Sequence, residues 1–305
     1  MVRISLGNIC IGDPSDHGVN GIGNQLYAIA NNAVLARRYN ANLAIGRPLV
    51  RATFDSAHAL RRSCTSGREW PAGTSQRGDR SLKKGRRGYQ SLKHNVTTRL
   101  WYWERAVNQP LRPAAMYELF VSRYQPWVWK EVRRIQAVVS KIHTVIHLRT
   151  WSEMHCAKKL TTGSCGQRLP TRALRCIHNR VEGASALLFT DYDGGEMRTL
   201  LNRYSIGAQS NGTVYYTEPE LFPVGLEIRG VSLSIKKKHS IASVLWVLAY
   251  EAPLFIGSSS SSLSKSIAMA RLNHQRSILV NMRCRRAKGD GNLFACRNAT
   301  LGDLV

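Results

Sequence analysis

The carboxyl-terminal half of the chain alternates short apolar runs with longer runs in which apolar residues recur at helical spacing. Short apolar runs bounded by turn residues are typical of buried strands, and the longer periodic runs are typical of helices. Strands that alternate with helices favour a parallel sheet. From about residue 143 the pattern predicts strands in TVIHLRT, ALLFTDYD, TVYYTE, PLFIGS and RSILVNM, and helices in GGEMRTLLNRY, HSIASVLWVLAYEA and SLSKSIAMARL.

The amino-terminal part begins with the same alternation. Residues 2–11, VRISLGNICI, predict a buried first strand, a glycine-rich loop follows, and apolar residues then recur at helical spacing from Leu26 to Tyr39. A strand, loop and helix of this kind make half of a doubly wound α/β unit. We therefore predict an α/β protein with two lobes, 1–142 and 143–305, and a ligand between them.

Residues 61–99 interrupt this pattern, because they are rich in lysine and arginine and hold hardly any apolar side chains. Such a composition does not build a core, so we predict a solvated basic insertion at about 51–100. The aromatic-rich run that follows it ends in an amphipathic helix from about Trp127, with basic residues on the wet face.

The charge balance favours anionic partners. The chain has 44 Lys and Arg against 19 Asp and Glu, a formal net charge of +25. Nucleic acid, acidic membranes, nucleotides and acidic glycans all suit such a surface. Non-specific contact with polyanions is therefore one expected interaction.

The sequence leaves the compartment open. No apolar run of about 18 residues predicts a transmembrane helix, and residues 1–12 lack the order of a signal peptide. We expect a cytoplasmic protein, or one of the secretory-pathway lumen if a targeting segment is missing from this sequence. The seven cysteines include no CxxC pair and no zinc-finger spacing, so we expect no metal site. Local disulfides could form within two groups, Cys156 with Cys165 and Cys176, and Cys284 with Cys296.

The glycine-rich loop before the first helix is a candidate ligand contact. Gly21 and Gly23 allow a tight turn and a close backbone approach, and the helix behind them presents N–H groups to the solvent. A dinucleotide-binding fingerprint needs a third glycine two residues later, where Gln25 and Leu26 stand. The loop is therefore either a structural turn or a different ligand site, in which Asn24 touches the ligand.

His147 and Arg149 lie two residues apart at the end of an apolar strand, so we expect them on the same side of the sheet. Open α/β sheets bind ligands at the carboxyl ends of their strands, and an arginine offers a planar fork suited to a diphosphate. A lone strand histidine is more often a core residue than a ligand contact. Glu153 follows as a partner for the arginine or as a base.

Two other strand ends carry polar residues. Asp191 follows a predicted strand and either caps the next helix or meets the ribose or base of a nucleotide. The five serines at 258–262 stand between a predicted strand and a predicted helix. They form either a flexible linker or a loop whose N–H and hydroxyl groups bind an anion. Because apolar runs flank them on both sides, we favour the anion-binding loop.

Three segments together resemble the fucosyltransferase superfamily, particularly the protein O-fucosyltransferases. GIGNQLYAIANNAVLARRYNANL is similar to the family's amino-terminal loop and helix, HLRTWSEMHC to its His-x-Arg motif, and YEAPLFIGSSSSSLSKSIAMAR to its serine loop and helix. The three occur in the family's order and cover most of 18–50 and 143–272. The segment 51–130 has no counterpart.

The resemblance implies a GT-B fold of two Rossmann-like lobes, the first on the acceptor side and the second holding GDP-fucose. It implies an inverting glycosyltransferase that needs neither cofactor nor metal and transfers fucose to a hydroxyl of a protein or glycan. It assigns Arg149 to the β-phosphate of the leaving GDP, Asn24 to the sugar or acceptor, and Asp191 to the region of the guanosine. The serines that correspond to the family's phosphate contacts are Ser260, Ser261 and Ser262.

Two departures from the family pattern leave the donor open. Glu153 stands where an aspartate is usual, and Ser240 and Ser243 stand near the place of another aspartate. The alternatives are a transferase of this fold with another nucleotide sugar, and an inactive basic protein that binds polyanions. The candidate catalytic residues are Arg149, Glu153 and Asn24, and the candidate substrate-binding residues are Gly21, Gly23, Asn24, His147, Arg149, Asp191, Ser260, Ser261 and Ser262.

Overall fold

The contacts in a computed structural model divide the chain into two units, Met1–Gln125 and Pro126–Val305. The structure describes residues 10–13, 22–38, 42–45, 53–54, 112–121, 124–149, 171–181, 185–191, 194–203, 212–223, 237–280 and 297–299.

The described residues of the first unit form a parallel strand pair and two helices. Strand β1 (Cys10–Asp13) pairs with β2 (Asn42–Ile45), and helix α1 (Ile22–Arg38) lies between them in the chain. Helix α2 (Arg112–Phe120) packs against α1. The predicted helix is present and begins at Ile22. The described strand overlaps the predicted strand 2–11 only at Cys10 and Ile11 and continues to Asp13, whereas residues 2–9 and most of the glycine-rich loop lie outside the described residues.

Two residues inside the predicted basic insertion are described, and they pack into the first unit. Phe54 is fully buried and lies 4.9 Å from Phe120 and 5.7 Å from Tyr124 between ring centroids. The main chain of Thr53 accepts a hydrogen bond from the N–H of Gln125 at 2.9 Å. This part of the predicted insertion therefore contributes to a core; residues 55–100 lie outside the described part.

The second unit alternates strands and helices along the chain, as the apolar pattern predicts. The elements among its described residues are α3 (Pro126–Val138), β3 (Ile142–Leu148), α4 (Thr171–His178), β4 (Ser185–Thr190), α5 (Gly194–Arg203), β5 (Val214–Thr217), α6 (Glu218–Leu221), α7 (Lys237–Glu251), β6 (Leu254–Ser258), α8 (Ser262–Arg271), β7 (Arg276–Val280) and β8 (Arg297–Asn298).

These strands form one sheet in the order β5–β4–β3–β6–β7–β8, parallel throughout except for the β7–β8 pair. Helices cover both faces, which explains why the strands are continuous apolar runs. On one face, Ile146 and Leu148 of β3 join a core with Leu174 and Ile177 of α4. Neighbouring strand residues point to opposite faces, so His147 points to the face that α8 covers.

Helix α3 belongs to the second unit, although the sequence pattern places the lobe boundary after it, at 142. Its apolar stripe of Val128, Val132 and Ile135 is fully buried, and the helix packs against α7. Arg134 donates to the main-chain oxygen of Leu221 at 2.8 Å. The contacts therefore divide the chain before this helix, at 125/126.

The last turn of α8 is fixed by a buried arginine. Arg271 has no exposed surface, and burial lowers its pKa to about 10, so it stays charged at neutral pH. A buried charge is stable only when its donors are paired. The five N–H groups of the guanidinium are shared among seven acceptors that lie 2.5 to 3.2 Å from its nitrogens, around the end of α7 and the starts of β6 and β7, namely in Ala249, Tyr250, Ala252, Pro253, Gln275, Arg276 and Ser277.

The described residues bear on two predictions from the sequence, the one on transmembrane helices and the one on local disulfides. None of the helices among them is long and apolar enough to cross a membrane. Cys176 of α4 is disulfide-bonded, and the other four cysteines considered for local bridges lie outside the described part of the chain.

Candidate functional site

The candidate site of the second unit lies where β3 and β6 end. The two strands are parallel neighbours, and His147 is in register with Gly257. Arg149 directly follows β3, and its main-chain N–H donates to the Ser258 hydroxyl oxygen at 2.8 Å. The fold thus brings the His-x-Arg segment and the serine run to one edge of the sheet, although 109 residues separate Arg149 from Ser258.

The serine run is part of the packed unit and not a flexible linker. Ser258 is the last residue of β6 and Ser262 is the first of α8, so only a tight turn separates the two elements. Within that turn, the N–H of Ser259 donates to the main-chain oxygen of Val280 at 2.9 Å, and the N–H of Ser261 to that of Ser258 at 3.0 Å. Small residues suit this position because strand and helix meet without a spacer.

Each of the three serines assigned to phosphate has its own environment. Ser261 is buried and caps α8, since its hydroxyl oxygen accepts from the N–H of Ser264 at 3.4 Å. The hydroxyl oxygen of Ser260 is buried and has no hydrogen-bond partner among the described residues. Ser262 is half-buried in the first helical turn. Their contact with a phosphate stays a prediction.

A buried hydroxyl links the two strands behind the site. The Ser264 oxygen lies 2.7 Å from His147 Nδ1 and accepts from the N–H of Ser258 at 3.1 Å. Ser264 and Ser258 are fully buried and His147 is nearly so. Burial, reinforced by the charge of Arg149, lowers the pKa of His147 to about 3. The imidazole is therefore neutral at physiological pH.

Gly257 allows this close packing of α8 on β6. A Cβ atom at this position would lie 2.7 Å from the Cβ of Ser264 and 2.8 Å from ring atoms of Phe255. Such distances are far below van der Waals contact, so any larger residue would push the helix away from the strand. The glycine is required by the approach of Ser264 to the end of β3.

Arg149 is exposed at this edge. Its backbone is held by Ser258, and α8 begins four residues after that serine, with the N–H of Ser264 capped by the Ser261 hydroxyl. Arginine and a helix amino terminus both favour anions, and an arginine binds two phosphate oxygens at once. The arrangement is suited to an anionic group such as a diphosphate.

The remaining predicted residues are distributed as follows. Asp191 is exposed and follows β4, the parallel neighbour of β3, and so lies at the same edge of the sheet. In the first unit, Gly23 is buried and Asn24 is half-buried in the first turn of α1. Gly21 and Glu153 lie outside the described residues.

Ser264 was not singled out from the sequence, and Ser258 was predicted only as a member of the five-serine run, yet the two connect the predicted residues to one another. The only signal for Ser258 was its place as the first serine after the strand. In the sequence, Ser264 is one of several polar residues in a predicted helix. Its contact with His147 joins residues 117 positions apart and depends on the register of β3 with β6.

Comparisons with known proteins support the fold. No protein-family model matches the sequence, and no curated protein matches it. The NodZ α-1,6-fucosyltransferase soaked with GDP-fucose matches with a TM-score of 0.50 and 12% identity, over 90% of this chain and 96% of that one. A point mutant of Arabidopsis thaliana FUT1 in complex with GDP matches with a TM-score of 0.52 and 11% identity, over 90% and 70%.

A third match is partial. POFUT1 in complex with GDP is 13% identical with a TM-score of 0.36, and the similarity covers 55% of this chain and 49%, about half, of that one. At such identities the first two matches establish the fold. The prediction of an α/β, GT-B-like fold is confirmed.

Proposed function

We propose that this chain, which shares its fold with fucosyltransferases, is an inverting glycosyltransferase that transfers fucose from GDP-fucose to a hydroxyl of a protein or glycan. The observation that supports the proposal is the hydrogen bond of the Arg149 main-chain N–H to the Ser258 hydroxyl, which holds the backbone of a cationic residue near the start of α8. GDP-fucose and GDP are the ligands of the two structures with the same fold. A nucleotide sugar is therefore the donor class we propose.

In this proposal, the edge formed by β3 and β6 holds the pyrophosphate. Arg149 binds the β-phosphate with its guanidinium, and the serine turn adds N–H and hydroxyl donors from Ser260, Ser261 and Ser262. Negative charge grows on the diphosphate oxygen as its bond to the sugar breaks, and a fixed cation stabilises that charge most in the transition state. Asp191, at the same edge, is proposed to contact the guanosine.

The acceptor hydroxyl attacks the anomeric carbon from the side opposite to the diphosphate, and GDP leaves with the electron pair of the broken bond. We propose that Glu153 takes the proton of the acceptor hydroxyl and that Asn24 holds the sugar or the acceptor. We also propose that Gly21, and Gly23 in the first turn of α1, allow a close approach of the backbone to the ligand. This order of events inverts the configuration at the anomeric carbon.

The first test is binding followed by turnover. Wild-type protein is titrated with GDP in a calorimeter, and sugar transfer from GDP-fucose is then measured. Arg149→Ala should lower turnover by about two to three orders of magnitude, the usual scale for the loss of one transition-state contact. Arg149→Lys should recover part of it, because the charge remains but the two-pronged geometry is lost.

The control for this test is Arg133→Ala, which removes an exposed arginine from α3. It changes net charge by the same amount and should leave turnover near the wild-type value. Near-normal turnover in Arg149→Ala would contradict the role given to this residue.

The proposal also predicts that transfer does not require a divalent metal, since Arg149 supplies the charge that a metal would otherwise provide. Turnover should be the same within a factor of about two after dialysis against EDTA, with and without added Mg²⁺ or Mn²⁺. Complete loss in EDTA that Mn²⁺ restores would show this part of the proposal to be wrong.

A second candidate, a basic protein that binds polyanions, is favoured by one observation. Lys130, Arg133 and Lys141 are exposed on and just after α3. This candidate predicts salt-dependent binding of heparin and no measurable binding of GDP. If GDP binds but GDP-fucose is not turned over, a panel of other nucleotide sugars identifies the donor.

A further inference from the structure

Ser264 is not one of the proposed phosphate contacts, but it connects the residues of the candidate site. It lies in the first turns of α8, fully buried, and contacts the ends of both strands that form the site. Its oxygen accepts from the Ser258 N–H at 3.1 Å and lies 2.7 Å from His147 Nδ1. Ser258 in turn accepts from the Arg149 N–H at 2.8 Å.

The direction of these hydrogen bonds follows from the proton count of a hydroxyl. A serine hydroxyl has one proton to donate and two lone pairs. One lone pair of Ser264 is used by the Ser258 N–H. Among the described residues, the acceptor within reach of the Ser264 proton is His147 Nδ1. A buried hydroxyl proton without an acceptor is costly, so Ser264 donates to Nδ1 and the neutral imidazole carries its own proton on Nε2.

We propose that Ser264 is a positioning residue: its hydroxyl fixes the Nε2–H tautomer of His147 and, through Ser258, holds the backbone of Arg149 at the first turn of α8. The consequence for catalysis rests on the proposed function, because it assumes that Arg149 binds the diphosphate. The consequence for the tautomer does not. Ser264 touches no substrate in this proposal and acts through the other residues.

The chain offers a matched control on the same helix. Ser266 is as deeply buried as Ser264, accepts from Trp246 Nε1 at 3.2 Å and donates to the main-chain oxygen of Leu263 at 2.8 Å. Ser266→Ala therefore removes a buried, doubly bonded hydroxyl two residues away, without touching the strand ends. Both alanine variants should lower the melting temperature by a similar few degrees.

The decisive measurement is the tautomer of His147, read from the nitrogen chemical shifts of the imidazole in ¹⁵N-labelled protein. The wild type and Ser266→Ala should show the Nε2–H form. Ser264→Ala should show the Nδ1–H form or a mixture, and its Arg149 amide should exchange with solvent faster than in Ser266→Ala. An Nδ1–H tautomer in the wild type overturns the proposal without any variant.

Turnover of GDP-fucose supplies the second readout. Ser264→Ala should lower kcat about tenfold to a hundredfold relative to Ser266→Ala, the scale expected when a reacting group is misplaced by less than about 1 Å. Equal kcat in the two variants, with an unchanged tautomer, would reduce Ser264 to an ordinary core residue. If Ser264→Ala does not fold, Ser258→Ala cuts only the bond to the Arg149 N–H and should lower kcat while leaving the tautomer intact.

The tautomer of His147 tests the positioning role of Ser264, and the binding and turnover assays test the proposed function. If the wild type neither binds GDP nor turns over GDP-fucose, the proposed function fails, and the tautomer still decides the role of Ser264. If turnover is found and the tautomer is wrong, only the positioning role fails.

Discussion

The imidazole of His147 is buried next to the cationic Arg149. It therefore binds a proton less readily in the folded protein than in the unfolded chain. Its pKa is lowered to about 3, chiefly by burial and then by the charge of Arg149. The unfolded chain takes up this proton near pH 6.5, but the folded chain does so only near pH 3. Its contribution to stability is therefore full above pH 6.5 and declines as the pH falls toward 3.

This linkage predicts a measurable pH dependence. Between pH 7 and pH 5 His147 should reduce the free energy of unfolding by about 2 kcal/mol. Urea denaturation of the wild type and of His147→Gln at both pH values measures it. The variant lacks the linkage, so the difference in stability between the two proteins should shift by this amount in favour of the variant at pH 5. A difference independent of pH would mean that His147 is accessible to protons in the folded state.

At the residue scale, the sequence predicted the location of Arg149 better than its surroundings. The pattern of polar residues after an apolar run placed it at a strand end, where the structure has it. The sequence also placed His147 and Arg149 on one side of the sheet; in the structure His147 is buried under α8, whereas Arg149 follows the strand and is exposed. Burial of the histidine depends on Gly257 and Ser264, which are distant in the chain.

At the element scale, the contact between β6 and α8 depends on one missing side chain. Gly257→Ala should destabilise the protein by about 1–3 kcal/mol, because its Cβ would overlap Ser264 and Phe255. It should also reduce turnover, since the first turn of α8 would move relative to Arg149. Urea denaturation and a transfer assay measure the two effects.

The control for this substitution is Gly195→Ala on α5, where the glycine is exposed within a helix. Alanine there should leave turnover unchanged and stabilise the helix by up to about 1 kcal/mol. If Gly257→Ala is as stable as the wild type, β6 and α8 can move apart without loss of stability.

The period of apolar residues was sufficient to predict most elements of the second unit. Strands β3 to β7 and helices α5, α7 and α8 occur where the pattern places them. Helix α4 was missed because its eight residues bury only a short stripe that includes Leu174 and Ile177. The order of the strands was beyond the sequence, since β6 inserts beside β3 through pairing that no local pattern encodes.

At the scale of the whole molecule, the position of α3 decides where the second unit begins. Val128, Val132 and Ile135 are fully buried, and each contributes about 1.5–3 kcal/mol by burial. A fragment 126–305 should therefore unfold cooperatively in urea, whereas a fragment 143–305 should be less stable by several kcal/mol or not fold. Circular dichroism during denaturation compares them, and equal midpoints would place the boundary after α3.

The net charge of +25 is a property of the whole chain that the fold does not explain. Arg271 donates to main-chain oxygens, and Arg149 is exposed at the sheet edge, but residues 61–99 carry many of the cations and lie outside the described part. The net charge thus predicts the sign of the partner's charge, whereas the positions of single arginines determine which chemical groups the protein can bind.

Helix α8 is secured at both extremities, by Ser261 and Ser264 where it starts and by Arg271 where it stops. Its length of about 15 Å separates these fixed points. Loss of the Arg271 hydrogen bonds would therefore change the orientation of α8 and so move the serines at its start. We therefore expect a substitution of Arg271 to impair the proposed activity, although Arg271 lies at the opposite end of α8 from the serines.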